Sequence, residues 1–514
     1  MANRQRENQT TLKQTAQRRS AVERALIEPT SLPDLEAPGV LRRTVDRPGR
    51  VSPGGVQTLQ RAYGNRAVTR LLPGPPGRSS GLGQVFVGPS AGPHVFRKIE
   101  ASASVPFYGF LYPTYYGLLT NLNDEIKAYN VWDKQTRPKV EESESSLSTK
   151  TLEAAVHDGL KLLDTVEHRA YEWFGKTNPK SGDSRAKQVL QVLNQAQGEH
   201  KYWMGVVVEK GLDVWTAETE EEEEGERLQA VWQDIVSEHE VFDFTEKTLL
   251  SSGWRDVDEK TMHQFKLEMY SMLARLLSRP SGRRLLISLY ETGKKTGKKL
   301  TFGPRSEEDI PGYRANVGKG SPNLLATESK GTVSVKKGEG AGADVVVAPG
   351  IQESAFTDRD RSGRPIIAPS FVGLGHELIH ALHYMTGTWW SRVQVPEGHP
   401  AKDVIKKDYG GDLEEFVTIA SKAEIRKLLG GTNLTIMVGG RPEPVPADVL
   451  LALMEGMPTE ASIRKEHGLG ERWGHESTAS PWAYGESATK KSPDQVVKDH
   501  VQWWEKQLEK TKEL

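Results

Sequence analysis

The chain has 514 residues, 36% hydrophobic and 27% charged, with a net charge of −1 and no cysteine. That length suits two to four domains, and the polar balance leaves part of the chain outside any core. The charge gives no reason to expect a nucleic-acid or membrane partner, and without cysteine any metal must be held by His, Asp or Glu.

No segment approaches the roughly 20 apolar residues that span a bilayer. The first residues, Met1 to Arg6, lead into a polar stretch that lacks the apolar region of a Sec-type signal. The expectation is a chain made in the cytoplasm, which would need a dedicated non-Sec machine to leave the cell. Residues 1–95 are Arg-rich and broken by Pro and Gly, and read as a disordered tail and linker that includes Pro73-Gly-Pro-Pro-Gly77. Inside it, residues 59–72 place apolar positions along one short helix, interrupted by Gly64 and Asn65.

Residues 96–280 read as a helical domain. Leu152, Val156, Leu160, Leu163 and Val166 recur at helical spacing, as do Val189, Leu190 and Leu193, and Leu267, Tyr270, Leu273 and Leu276. Trp203, Trp215, Trp232 and Trp254 are expected to pack this layer, and the acidic run at 220–224 reads as a solvated face. From 281 to 490 the pattern changes. Residues 300–302, 332–335 and 344–347 read as short strands separated by Gly and Pro. A helix follows at 371–386, with Ser370 as its N-cap and Gly387 just past its end. More helix is expected at 412–429, 446–456 and 459–467, and a charged amphipathic helix with Trp503 and Trp504 at 491–514. The fold class expected is therefore α+β: a small sheet and a motif-bearing helix, preceded by a helical domain and a tail.

The motif is Gly375-His-Glu-Leu-Ile-His380. Two histidines at i and i+4 share one helix face and can reach one tetrahedral zinc. Glu377 follows the first of them and is placed to act as general base. The plain alternative is an amphipathic helix with two surface histidines, but Leu374, Leu378, Ile379, Ala381 and Leu382 make this helix apolar. His383 lies on the same face, yet the rise from His376 is about 10 Å, too far for both to bind one ion, so it reads as a supporting residue. The metzincin pattern needs Gly at 383 and His at 386, and the chain has His383 and Thr386. A third ligand is sought in Asp412-Leu-Glu-Glu-Phe-Val-Thr418. Asp412 and Glu415 suit a capping pair, which occupies Glu415 and leaves Glu414 for the metal.

The string from His376 to His383, followed some 30 residues on by 413–418, resembles the clostridial neurotoxin light chains and, more closely, the NleD-like bacterial effector metallopeptidases. The likeness covers roughly residues 280–480. It includes Ser281-Gly-Arg-Arg-Leu-Leu286 leading into a strand, Gly342-Ala-Asp-Val-Val-Val-Ala-Pro349, and Thr459-Glu-Ala-Ser-Ile-Arg-Lys-Glu-His-Gly-Leu469 with Arg472 after it. It implies a zincin-type endopeptidase, gluzincin-like, with Zn2+ on His376, His380 and Glu414 and with Glu415 behind them. It further implies an Arg and a Tyr that assist the tetrahedral intermediate. Arg472 suits the Arg position, but Trp473 and His475 stand where the Tyr is expected, so His475 or the later Tyr484 is left to share that duty. Residues 59–72 resemble a segment of proteins associated with contractile injection systems, which implies a loading tail and an injection particle as partner. A protein substrate follows from the same likeness, bound extended beside an edge strand near 345–347. The rival reading is a non-catalytic component of such a particle with a degenerate protease fold.

Overall fold

The computed structural model describes Ile99 and residues 113–475, apart from 142–147, 178–183, 216–220, 251–252, 305–312, 330–331, 348–357 and 363–364. All of them lie in one unit of the chain, Ala91–Leu514. The segment 59–72, Tyr484 and the helix expected at 491–514 fall outside the described residues.

The helical spacing of the middle region produces α1 (Pro113–Glu141), α2 (Thr149–Thr177), α3 (Ser184–Lys210) and α4 (Glu222–Ser237). The stripe Leu152, Val156, Leu160, Leu163 and Val166 is buried on α2. Trp203, Trp215 and Trp232 are buried as well. Three short strands then interrupt the helices: β1 (Phe242–Phe244), β2 (Lys247–Leu250) and β3 (Gly253–Asp256), the last of which takes Trp254. They escape a periodicity reading because each has only three or four residues. Asp234, near the end of α4, aims the chain into β1. Its carboxylate accepts from the backbone N–H groups of Glu240, Val241 and Phe242 at 2.7, 2.9 and 2.9 Å.

Helix α5 (Glu259–Leu277) begins at Asp258, whose side chain accepts from Thr261 N, and it buries Leu267, Tyr270, Leu273 and Leu276. After it come α6 (Pro280–Thr296) and the strands β4 (Leu300–Pro304), β5 (Tyr313–Ser321), β6 (Leu325–Ser329), β7 (Thr332–Lys336) and β8 (Gly340–Val347). Next are β9 (Asp358–Arg359), β10 (Pro365–Ile366) and the motif helix α7 (Ser370–Thr386). The main sheet has the order β1-β4-β8-β5. Its first three strands are parallel, with Phe242 opposite Leu300 and Leu300 opposite Ala343, and β5 is antiparallel, with Ala315 opposite Val345. Strand β8 is therefore flanked on both sides, which corrects the expectation of a free edge at 345–347. Among the described residues the terminal strands of this sheet are β1 and β5, and β5, the neighbour of β8, has the sequence YRANVGKGS, which lacks the apolar run that marks β8.

Helix α7 packs on β8 and β5 with one face and on α5 and α6 with another. Only Gly373, Glu377 and Thr386 of α7 escape full burial. Its N-cap is Pro369, not Ser370, because Pro369 keeps extended angles while Ser370 is already helical. Gly387 ends it at φ 70°.

The remainder is β11 (Val393–Gln394), α8 (Pro400–Asp408), α9 (Leu413–Ile419), α10 (Lys422–Leu429), β12 (Asn433–Val438), β13 (Arg441–Pro446), α11 (Ala447–Leu453) and α12 (Glu460–Glu466). The single helix expected at 412–429 is two. Ala420 turns extended at φ −69°, ψ 154°, and Ser421 caps the second helix by accepting from Glu424 N. Among the described residues the architecture mixes helices with small sheets, an α+β arrangement. No helix there is long and apolar enough to cross a membrane.

Two hydrophobic cores result. The first runs from the α1–α4 layer through Leu276, Leu277, Leu285 and Leu286 into the sheet and α7. The second gathers Trp390, Tyr409, Phe416, Val417, Leu434 and Leu450. The motif helix belongs to the first, and α9 to the second. Leu378 and Ile379 of α7 are fully buried, as are Phe416 and Val417 of α9.

His200 on α3 links the first core to solution pH. Burial, helped by the charge of Arg275, pushes its pKa down to about 3. The unfolded chain takes up this proton near pH 6.5 and the folded chain does not, so the contribution is lost as pH falls below about 6.5. His200→Leu is expected to remove an acid sensitivity of roughly 1.4 kcal/mol per pH unit between pH 6 and 4. Urea unfolding of both proteins at several pH values checks this, and identical slopes would contradict it.

Candidate metal centre

Helix periodicity puts His376 and His380 on one face of α7, and their Nε2 atoms lie 3.1 Å apart. Each ring's other nitrogen is committed elsewhere. His376 Nδ1 donates to Glu460 Oε2 at 3.0 Å, and His380 Nδ1 donates to Glu414 Oε1 at 3.1 Å. Those bonds orient both rings so that the two Nε2 atoms face the same point.

The two carboxylates of α9 stand on different sides of the histidine rings. Glu415 Oε2 lies 3.3 Å from His376 Nε2, and Glu415 Oε1 lies 3.4 Å from His380 Nε2. Glu414 lies behind the rings: its Oε1 takes His380 Nδ1 and His383 Nδ1, the latter at 2.5 Å, and its Oε2 takes Trp390 N at 3.0 Å. The capping premise fails for a physical reason. Asp412 does cap α9, but it accepts from Glu414 N at 2.9 Å, so no capping pair with Glu415 is formed. Glu415, at the third turn position, is free to point at the histidines, and it is the more exposed of the pair, at 19% against 3%.

Charge follows geometry. Burial would raise Glu414, but His383 and His380 outweigh it and hold its pKa near about 2. Burial likewise opposes Glu415, and His376 and His380 bring it well below the carboxylate range. For Glu460, Arg472 and His376 overcome burial and lower it to about 2. His376 is pulled down by burial but raised more strongly by Glu415 and Glu460, to about 9. The ionised carboxylates hold the two imidazoles protonated, so a metal bound at the Nε2 atoms would take the place of those protons.

The other expected residues fall in three places. Glu377 leaves the rings and crosses to the sheet edge, where Oε2 accepts from Ala315 N of β5 at 2.7 Å. Arg472 stands behind His376: its guanidinium donates to Glu460 Oε2 at 2.9 Å and to the carbonyls of Gly474 and His475, both at 3.1 Å. His475 faces the pair, with Nε2 3.6 Å from Glu415 Oε2 and its ring 6.2 Å from that of His376.

Among the described residues two groups of donor atoms could hold a metal: His376, Glu415 and His475, and His380, His383 and Glu414. The second is fully buried, and Glu414 already satisfies both Nδ1 atoms and Trp390 N, so it has no face for a substrate. The first lies on the side of the two Nε2 atoms. Glu415 Oε2 there is buried without a hydrogen-bond partner.

Sequence reasoning missed Glu460. It sits inside the string at 459–469, but 84 residues separate it from His376, and no spacing rule spans that distance. It also missed Tyr384, one helical turn past His380, whose ring stacks 6.5 Å from the His380 ring. The i+4 spacing was the available signal. Glu460→Gln is expected to weaken metal binding about 10–100-fold by loosening the His376 ring. Competition against a chelator reads this out, and unchanged affinity would show that the Nδ1 contact is idle.

Residues 255–474 match the model of peptidase family M91, described as an effector protein. The match opens in β3, contains α7, α9 and α12, and closes beside His475, leaving α1–α4 outside it. No curated protein and no solved structure matches the chain.

Proposed function

We propose that the protein is a zinc-dependent endopeptidase of effector type, with the metal held by His376, His380 and Glu415. The observation that carries this is the meeting of two Nε2 atoms, 3.1 Å apart, with the Glu415 carboxylate, whose Oε2 lies 3.3 Å from His376 and whose Oε1 lies 3.4 Å from His380. Ligand atoms about 2.0–2.2 Å from a tetrahedral zinc lie roughly 3.3–3.6 Å from one another, so this donor set suits the ion. A set of two imidazoles and one carboxylate without sulfur also suits a hydrolytic zinc. This reading exchanges the roles given to the two glutamates by resemblance, with Glu414 now orienting His380 and His383.

When bound, zinc would supply Lewis acidity to a substrate carbonyl and to water. Glu377 does the proton work. Ala315 N–H anchors one oxygen of its carboxylate, and the residue keeps partial exposure. It takes a proton from the attacking water and delivers it to the leaving amine. Glu460 and Glu414 keep the histidine rings in place, and Arg472 braces Glu460, so Arg472 does not reach the substrate from this position. The substrate is a protein, laid extended beside β5, where Glu377 already takes the Ala315 N–H.

The effector description of the matched family supports action inside a target cell. The resemblance of residues 59–72 supports loading into a contractile injection particle or a similar secretion machine. New protein N-termini, mapped in target-cell lysates exposed to wild type or Glu377→Gln, test the activity. The reading expects a discrete set made only by wild type. Identical N-termini from both proteins would sink it.

A further inference from the structure

We propose that His475 is a fourth protein ligand of the metal, so that the form described is a latent one whose last coordination position is closed from within. The inference rests on the zinc reading above. His475 Nε2 lies 3.6 Å from Glu415 Oε2, which is within the span of a tetrahedral edge, roughly 3.3–3.6 Å. The ligand atoms of His376, Glu415 and His475 all lie within 4.8 Å of one another. A catalytic zinc keeps three protein ligands and one open position, whereas four protein ligands make a closed site.

The chain holds His475 there deliberately. Trp473 N donates to Arg359 O and His475 N to Asp408 O, each at 2.8 Å. Arg472, which braces Glu460 behind His376, also binds the carbonyls of Gly474 and His475. One guanidinium thus sets both the ring of His376 and the backbone that carries His475. Gly474 makes the turn possible at φ 86°, and a Cβ there would come within 2.5 Å of Asp408 O. The His475 side chain is 46% exposed, so it covers the centre from the solvent side and can swing outward without breaking a core.

A substrate would displace this imidazole by offering its carbonyl in the same position. The competing role for His475 is a hydrogen-bond donor to that carbonyl, never bound to the metal. X-ray absorption at the zinc edge of the zinc-loaded full chain separates the two. The proposal expects three imidazoles around zinc in wild type and two in His475→Ala. It also expects at least tenfold faster zinc release to a chelator in the variant. Gly474→Ala, which moves the residue without changing it, should give the same loss. Two imidazoles in wild type, with unchanged release from His475→Ala, would overturn the latch and leave the peptidase reading intact. A wild-type chain that binds no zinc would overturn both.

Discussion

Glu377→Gln is expected to lower proteolytic turnover by about 10²–10⁴-fold while zinc stays bound at wild-type affinity. The substitution keeps size and keeps an oxygen for Ala315 N–H, which Glu377 Oε2 now accepts at 2.7 Å. What it removes is the ability to take and return a proton. Because Glu377 lies on α7 between the two histidines but points to β5, its loss does not reach the Nε2 atoms. Turnover of the substrates found by N-terminal mapping, measured beside zinc content, checks both halves. Loss of zinc together with turnover would mean that Glu377 belongs to the metal site and not to the proton path.

Glu415→Ala and Glu414→Ala are expected to differ in kind. Removing Glu415 deletes a metal ligand, and affinity should fall by more than the roughly 10–100-fold typical of supporting residues. Its stability cost falls on the ion pairs with His376 and His380, which the bound metal replaces in the loaded protein. Removing Glu414 should weaken zinc only within that 10–100-fold range. It should destabilise the fold more, since the Nδ1 groups of His380 and His383 and the N–H of Trp390 lose their acceptor. Each buried group left unsatisfied costs about 1–3 kcal/mol. Chelator competition and thermal unfolding on the two variants separate these outcomes. The reverse ranking would restore Glu414 to the metal.

The sequence made the motif helix plain because every signal agreed there. Apolar residues surround His376 and His380, Gly387 stops the helix, and the i, i+4 spacing puts both rings on one face, where their Nε2 atoms lie 3.1 Å apart. The α2 stripe was legible for the same reason. What could not be read depended on contacts between distant segments. Which glutamate of α9 faces the metal is set by how Asp412 caps that helix and how α9 docks on α7. Local spacing favoured a capping pair that the fold does not make. Glu460 reaches His376 across 84 residues. Strand β5 hides in a polar, glycine-containing stretch, and only its pairing with β8 reveals that it is a terminal strand of the sheet among the described residues. The split at Ala420 and Ser421 was written locally as a capping signal, Ser421 with Glu424, inside what helix propensity alone would have run through.

The central claim is that one metal sits on His376, His380 and Glu415. Anomalous diffraction at the zinc edge, from crystals of the zinc-loaded protein, tests it most directly. The account predicts a single strong peak within bonding distance, about 2.0–2.2 Å, of His376 Nε2, His380 Nε2 and a Glu415 oxygen. A peak among His380, His383 and Glu414 instead, or no peak at all, would contradict it.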